Sequence, residues 1–164
     1  MIVGNGDIAS VLVDREGFIF FASGVSNSQE RRESEYKREM DLLLSQDKTK
    51  HLVYISSLCI FYSETRYAQH KAEMEALIKK NFDHYTILRV GNITWGTNPH
   101  TIINNLRNKK KNGETFEIQD AYRYIVDKDE FQYWVSMIPT WSCEMNITGR
   151  RMSIKQIVKE FIDA

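Results

Sequence analysis

Several features that commonly announce a function are scarce in this chain. Only two of its 164 residues are cysteine, Cys59 and Cys143, and they stand far apart. That excludes a disulfide framework and a thiolate metal cluster. The four histidines, His51, His70, His84 and His100, show no close ligand spacing, so no metal site is expected. Charge of one sign is also missing. The 22 acidic and 22 basic residues cancel, leaving no field to draw the chain to nucleic acid or an anionic membrane. No apolar run approaches the roughly 18 residues of a membrane span, and no basic segment leads an apolar signal core. The expectation is a cytoplasmic protein that binds neither membrane nor nucleic acid. With two prolines, no repeat and no low-complexity tract, nothing marks a linker. Length and a 42% apolar content suit one domain with a real core, residues 1–164.

What is present alternates. Residues 1–4, 17–22, 51–57 and 85–90 read as short apolar strands. Between them, 28–46 is helical with Tyr36, Met40, Leu43 and Leu44 on one stripe, and 65–81 is helical to Asn81. Residues 99–111 look helical, ended by Asn112-Gly113, while 115–118 and 122–126 suit short strands. Ser153 and Gln156 make a capping-box pattern before the stripe Ile154, Ile157, Val158, Phe161, Ile162. Strand–helix alternation with continuous apolar strands predicts an α/β fold: a Rossmann-like open parallel sheet with helices on both faces. Residues 1–96 form its nucleotide-binding core, and 97–164 a small substrate-side lobe with the terminal helix.

Gly4-Asn5-Gly6-Asp7-Ile8-Ala9 follows the first strand and is expected to open a helix. This is G-x-G-x-x-A: one glycine for the turn, one for backbone approach to a pyrophosphate, and a small residue for close packing. The free N–H groups of a helix start would hold the phosphates. A turn that simply needs two glycines accounts for it as well. Ala22-Ser23-Gly24 ends the second strand, either as a tight exit or as a floor for a flat ligand. The strand 51–57 ends in Ser56-Ser57, and Tyr67 and Lys71 lie one turn apart on the helix that follows. Ligands of open parallel sheets sit beyond the strand carboxyl ends, so a hydroxyl and a phenol could meet there over one substrate oxygen. A phenol needs a nearby cation to work near neutrality, and Lys71 is spaced to be that cation.

Taken together, Ser57, Tyr67, Lys71 and the glycine turn resemble the extended short-chain dehydrogenase/reductases, the NAD-dependent nucleotide-sugar epimerase and dehydratase branch. "VYISSLCIFYS" is similar to that family's serine strand, with Phe61 where a tyrosine is usual. "ILRVGNITWG" resembles the segment whose asparagine, here Asn92, approaches the substrate, and "RYIVDKDEF" the segment that begins with Arg123. The resemblance runs in order over nearly the whole chain. It implies NAD or NADP as cofactor, with Gly4, Gly6, Ala9, Ala22, Ser23, Gly24 and Lys71 around it. It implies Tyr67 as general acid/base, Ser57 orienting the substrate oxygen, and Lys71 lowering the Tyr67 pKa. Asn92 and Arg123 would contact a nucleotide-sugar substrate. A homodimer would form through the helices 28–46 and 65–81.

One departure is large. Between Gly6 and Phe18 lie about a dozen residues, room for one short crossover of at least roughly 10–12. Two strands that would flank the adenine are therefore expected to be missing, which puts the first strand at a sheet edge. The acidic residue for the adenosine ribose also has no counterpart, since Glu16 and Glu30 fall in the wrong places. These losses keep open a degenerate scaffold or binding subunit with weak or no cofactor binding, and a Rossmann-like domain of unrelated function. Arg107, Lys109, Lys110 and Lys111 read as a solvated helix end or a diphosphate contact. Trp95, Trp134 and Trp141 read as core packing or as stacking platforms. The Arg- and Glu-rich stretch 29–39 reads as a solvated face.

Overall fold

The computed structural model describes residues 1–164. Its main sheet has five parallel strands in the order β1-β2-β3-β4-β7, namely Ile2–Val3, Phe18–Phe21, His51–Ser57, Tyr85–Val90 and Cys143–Ile147. The alternation of side chains along these strands sorts the core into two layers. Ile19, Phe21, Leu52 and Tyr54 point to one face, where they meet Leu43 of α1 (Glu33–Leu44) and Met74 and Ile78 of α2 (Arg66–Asn81). Phe18, Phe20, Val53, Leu88 and Val90 point to the other, where they meet Phe131 of α4 (Lys128–Ser136) and Ile138. A sheet buried on both faces needs continuous apolar strands, and all four residues of β2 are buried.

Helix starts follow the sequence. The Thr65 hydroxyl accepts the Ala68 N–H at 3.2 Å to cap α2, and Thr101 accepts the Asn104 N–H at 3.3 Å to cap α3 (Ile102–Lys111). The α3 helix stops at Asn112-Gly113, where Gly113 has φ +71°. The Ser153/Gln156 capping box forms and opens α5 (Ile154–Ile157), which widens into a π-helical turn over Val158–Ile162. A second sheet, β5-β6-β8 (Asn92–Ile93, Tyr122–Val126, Arg150–Ser153), packs its Ile125 and Met152 against α3 and this terminal helix.

As expected, β1 is an edge strand with nothing outside it. Several expectations are corrected. The glycine turn leads not into a helix but into a single 3-10 turn, Ala9–Val11, because the chain must reach β2 within a few residues. Residues 115–118 form no strand, and helix 28–46 is confined to Glu33–Leu44. The α4 helix was not foreseen. Beyond residue 96 the chain re-enters the main sheet, where β7 pairs with β4. The basic cluster is structural in part. Arg107 donates to the Phe161 carbonyl at 3.2 Å and Lys110 to that of Ile162 at 3.0 Å, closing the terminal helix.

Candidate active site

A cleft of 880 Å³ opens at the carboxyl ends of β1–β4, where the topology of an open parallel sheet places ligands. Of the residues singled out from sequence, Gly6, Ala22, Ser23, Gly24, Ser57, Tyr67, Lys71, Asn92 and Arg123 all line it. Gly4 and Ala9 do not. A Cβ on Gly4 would lie 2.4 Å from the Ala22 carbonyl oxygen, and Gly4 has φ +126°, so this glycine serves the close passage of β1 past β2. Ala9 is buried and packs as core.

Each wall of the cleft has an identifiable origin. Ser57 ends β3, and its Oγ accepts the Cys59 N–H at 3.2 Å, which leaves the hydroxyl proton free to point elsewhere. Tyr67 comes from the first turn of α2 and keeps part of its surface open to the cleft. Its hydroxyl takes no partner from the chain and is not sealed from the cleft. Asn92 donates to the Tyr124 carbonyl at 3.2 Å and so ties β5 to β6, while Arg123 donates to the Tyr122 carbonyl at 2.8 Å.

Lys71 is placed differently from its expected role. It is 2% exposed, with Nζ 3.2 Å from Glu39 Oε1 and 3.2 Å from the Tyr54 hydroxyl. The centre of the Tyr67 ring is 5.5 Å away. The expectation that Lys71 lowers the Tyr67 pKa is corrected here. Burial first, then the neighbouring Cys59 and Glu39, hold the Tyr67 phenol well above its ordinary value of 10.

Glu39 is the residue that sequence reading misses, because the Arg- and Glu-rich stretch 29–39 reads as a solvated face. The carboxylate is fully buried. It accepts the Val25 N–H at 2.6 Å, the Tyr54 hydroxyl at 2.6 Å and the Lys71 ammonium at 3.2 Å. Burial opposes its charge, but Lys71, His70 and Tyr54 together hold its pKa well below the usual carboxylate range. His70 Nε2 lies 3.2 Å from Glu39 Oε2 but out of line for a hydrogen bond, so both ring nitrogens lack a partner. A signal was available: Glu39 stands three residues after Tyr36 and four before Leu43, on the buried stripe.

Asp7 was also missed, read only as a variable position of the glycine motif. Its carboxylate accepts the Thr97 N–H at 3.0 Å and the Asn98 N–H at 2.8 Å, and its carbonyl accepts the Trp95 indole N–H at 3.0 Å. Gly96, at φ +93°, makes room for it. The 95–98 loop is thereby pinned to the glycine turn.

A dinucleotide would meet a site that fits at one end. Beside Gly6 there is open space, and Ala22, Ser23, Gly24, Tyr67 and Lys71 leave a floor for a flat ring and its ribose. At the other end the strands that would flank an adenine are absent, and no helix starts at the glycines to hold a pyrophosphate.

No family model and no curated protein sequence matches the chain. Solved structures do. The Bordetella bronchiseptica enzyme WbmG, in complex with NAD and UDP, superposes with a TM-score of 0.66 at 16% identity, over 87% of this chain and 55% of that one. The Thermus thermophilus UDP-glucose 4-epimerase complex with NAD gives 0.68 at 14% identity, over 90% and 61%. A Bacillus cereus UDP-glucuronic acid 4-epimerase gives 0.67 at 16% identity, over 94% and 62%. This chain therefore spans between 55% and 62% of the length of these three proteins. At 14% to 16% identity these likenesses show a shared fold, the Rossmann-like parallel sheet, which this chain carries in a shortened form.

Proposed function

We propose that the cleft binds a nucleotide-activated sugar and supports its NAD(P)-dependent oxidoreduction, epimerisation or dehydration. One observation carries this reading: Ser57, Tyr67, Lys71, Asn92 and Arg123, drawn from separate elements, line one cleft at the strand carboxyl ends. The similar WbmG and Thermus structures hold NAD, and WbmG also holds UDP.

Tyr67 would exchange a proton with a carbinol or keto oxygen of the sugar. Burial keeps the phenol protonated in the resting site, the form that would donate to a keto oxygen gaining hydride, and a bound ligand would have to bring its pKa down for fast exchange. Ser57, with its hydroxyl proton free, would donate to the same oxygen and fix its position. Lys71 would donate its remaining N–H to a ribose hydroxyl lying on the Ser23–Gly24 floor. A bound nicotinamide supplies the hydride chemistry. Asn92 and Arg123 would face the sugar nucleotide, the guanidinium suited to a phosphate.

A second reading is favoured by the same fold: a scaffold or binding subunit with weak or no cofactor affinity. The 3-10 turn at the glycines and the missing strands support it. Fluorescence titration of NADH and NADPH separates the two. Saturable binding, with turnover of a nucleotide sugar that is lost in Tyr67→Phe, supports the enzyme. No binding by the folded wild type leaves the scaffold.

Pairing of two copies through α1 and α2 belongs to the enzyme reading. The outer faces of these helices carry ion pairs such as Arg66–Glu33 and Arg66–Glu73, and none of the exposed large apolar side chains. Any such dimer would be weak and concentration-dependent. Sedimentation showing only monomer across the micromolar range would remove it.

A further inference from the structure

A carboxylate with no exposed surface, on a helix whose other charged side chains meet solvent, makes three bonds to groups from three other elements. Glu39 of α1 holds the Val25 N–H from the exit of β2, the Tyr54 hydroxyl from β3 and the Lys71 ammonium from α2. Two of these partners, Val25 and Lys71, are walls of the cleft. Gly24 lies directly over the pair, since a Cβ there would stand 2.7 Å from both Glu39 Oε1 and Lys71 Nζ. The ammonium has three protons, and Glu39 and Tyr54 engage two. The third is left for the cleft.

We propose that Glu39 is the positioning residue of this site, its carboxylate fixing the Lys71 ammonium and the Ser23–Val25 backbone against each other beneath the cleft floor. The inference rests on the proposed function in taking the cleft as the ligand site. Without Glu39, Lys71 keeps only a neutral phenol as partner, and a buried cation without its counter-ion leaves the interior. It would move out into the cleft, and the Val25 N–H would lose its acceptor. The floor would then lose the spacing that a ribose hydroxyl has to match.

The test labels the full-length protein by reductive methylation and maps each lysine by peptide mass, with exposed Lys155 as the internal reference. Wild type should label Lys71 far more slowly than Lys155. Glu39→Gln keeps the shape and removes the charge, and should raise the Lys71 rate more than about tenfold without changing Lys155. Glu39→Asp, which keeps the charge, should restore part of the protection. A Glu39→Gln protein that melts as wild type and labels Lys71 at the wild-type rate overturns the proposal. Should Glu39→Gln not fold, the double variant Glu39→Gln/Lys71→Met decides: recovery of folding supports the pair, and failure shows a general core role and overturns it. NADH titration adds the functional arm, with Glu39→Gln expected to weaken binding about tenfold, as loss of one charge-assisted contact would. If wild type itself binds no NADH or NADPH, the enzyme reading falls, while the labelling result still decides the role of Glu39.

Discussion

Gly24 sits above Lys71 so closely that a methyl group on the glycine would lie 2.7 Å from the lysine ammonium nitrogen. Gly24 is not among the glycines with positive φ, so the requirement is for space and not for an unusual backbone. Gly24→Ala should therefore destabilise the protein through overpacking, by about 1–3 kcal/mol. It should also weaken whatever binds over Lys71. Chemical denaturation reads the first effect and ligand titration the second. An unchanged midpoint would show that the ion pair can shift aside freely.

Tyr67→Phe removes a hydroxyl that no group of the chain engages, so folding should be nearly unaffected. Turnover of a nucleotide sugar should fall by about 10²–10⁴-fold, the usual share of general acid–base catalysis. Cofactor binding should persist. Normal turnover in the variant would remove Tyr67 from the chemistry.

Stability should fall in acid, with Glu39 as a principal cause. Folding holds its pKa below the free value of 4.5, although burial alone would raise it. A carboxyl depressed by folding contributes stability that is complete above its unfolded pKa and is lost as pH falls towards the folded value. The loss should thus begin below about pH 4.5 and deepen towards lower pH. Urea midpoints for wild type and Glu39→Gln, measured from pH 7 down, should converge as the pH drops. Parallel curves would assign the acid loss to other groups.

Asp7→Ala should free the 95–98 loop from the glycine turn. Two backbone N–H groups would lose a charged acceptor, at a cost of about 1.5–3 kcal/mol for each such bond that water does not replace. Amide exchange at Thr97 and Asn98 should accelerate, while β3 and β4 keep their protection. Unchanged exchange at both amides would show that the loop is held by its other contacts.

The elements built on local signals were legible in the sequence. Apolar runs marked β2, β3 and β4, and strand–helix alternation pointed to a parallel sheet; the place of β1 at its edge followed from the family resemblance and the short path from Gly6 to β2. Ser153 marked a helix start because a capping bond needs only residues within one turn. The cleft residues Ser57, Tyr67 and Lys71 were found because strand ends and helix spacing bring them to one place. What depended on contacts far apart in the chain was not legible. Whether the glycine turn would open a helix was decided by the short path to β2, and the chain made a single turn. The partner of Lys71 was decided by Glu39, 32 residues away on a helix whose charges otherwise face water. Helical spacing could put Lys71 near Tyr67, but only the packing of α1 against α2 brought a buried carboxylate between the two helices. A charge in a low-dielectric interior bonds to the nearest opposite charge, and which charge is nearest is a property of the tertiary structure.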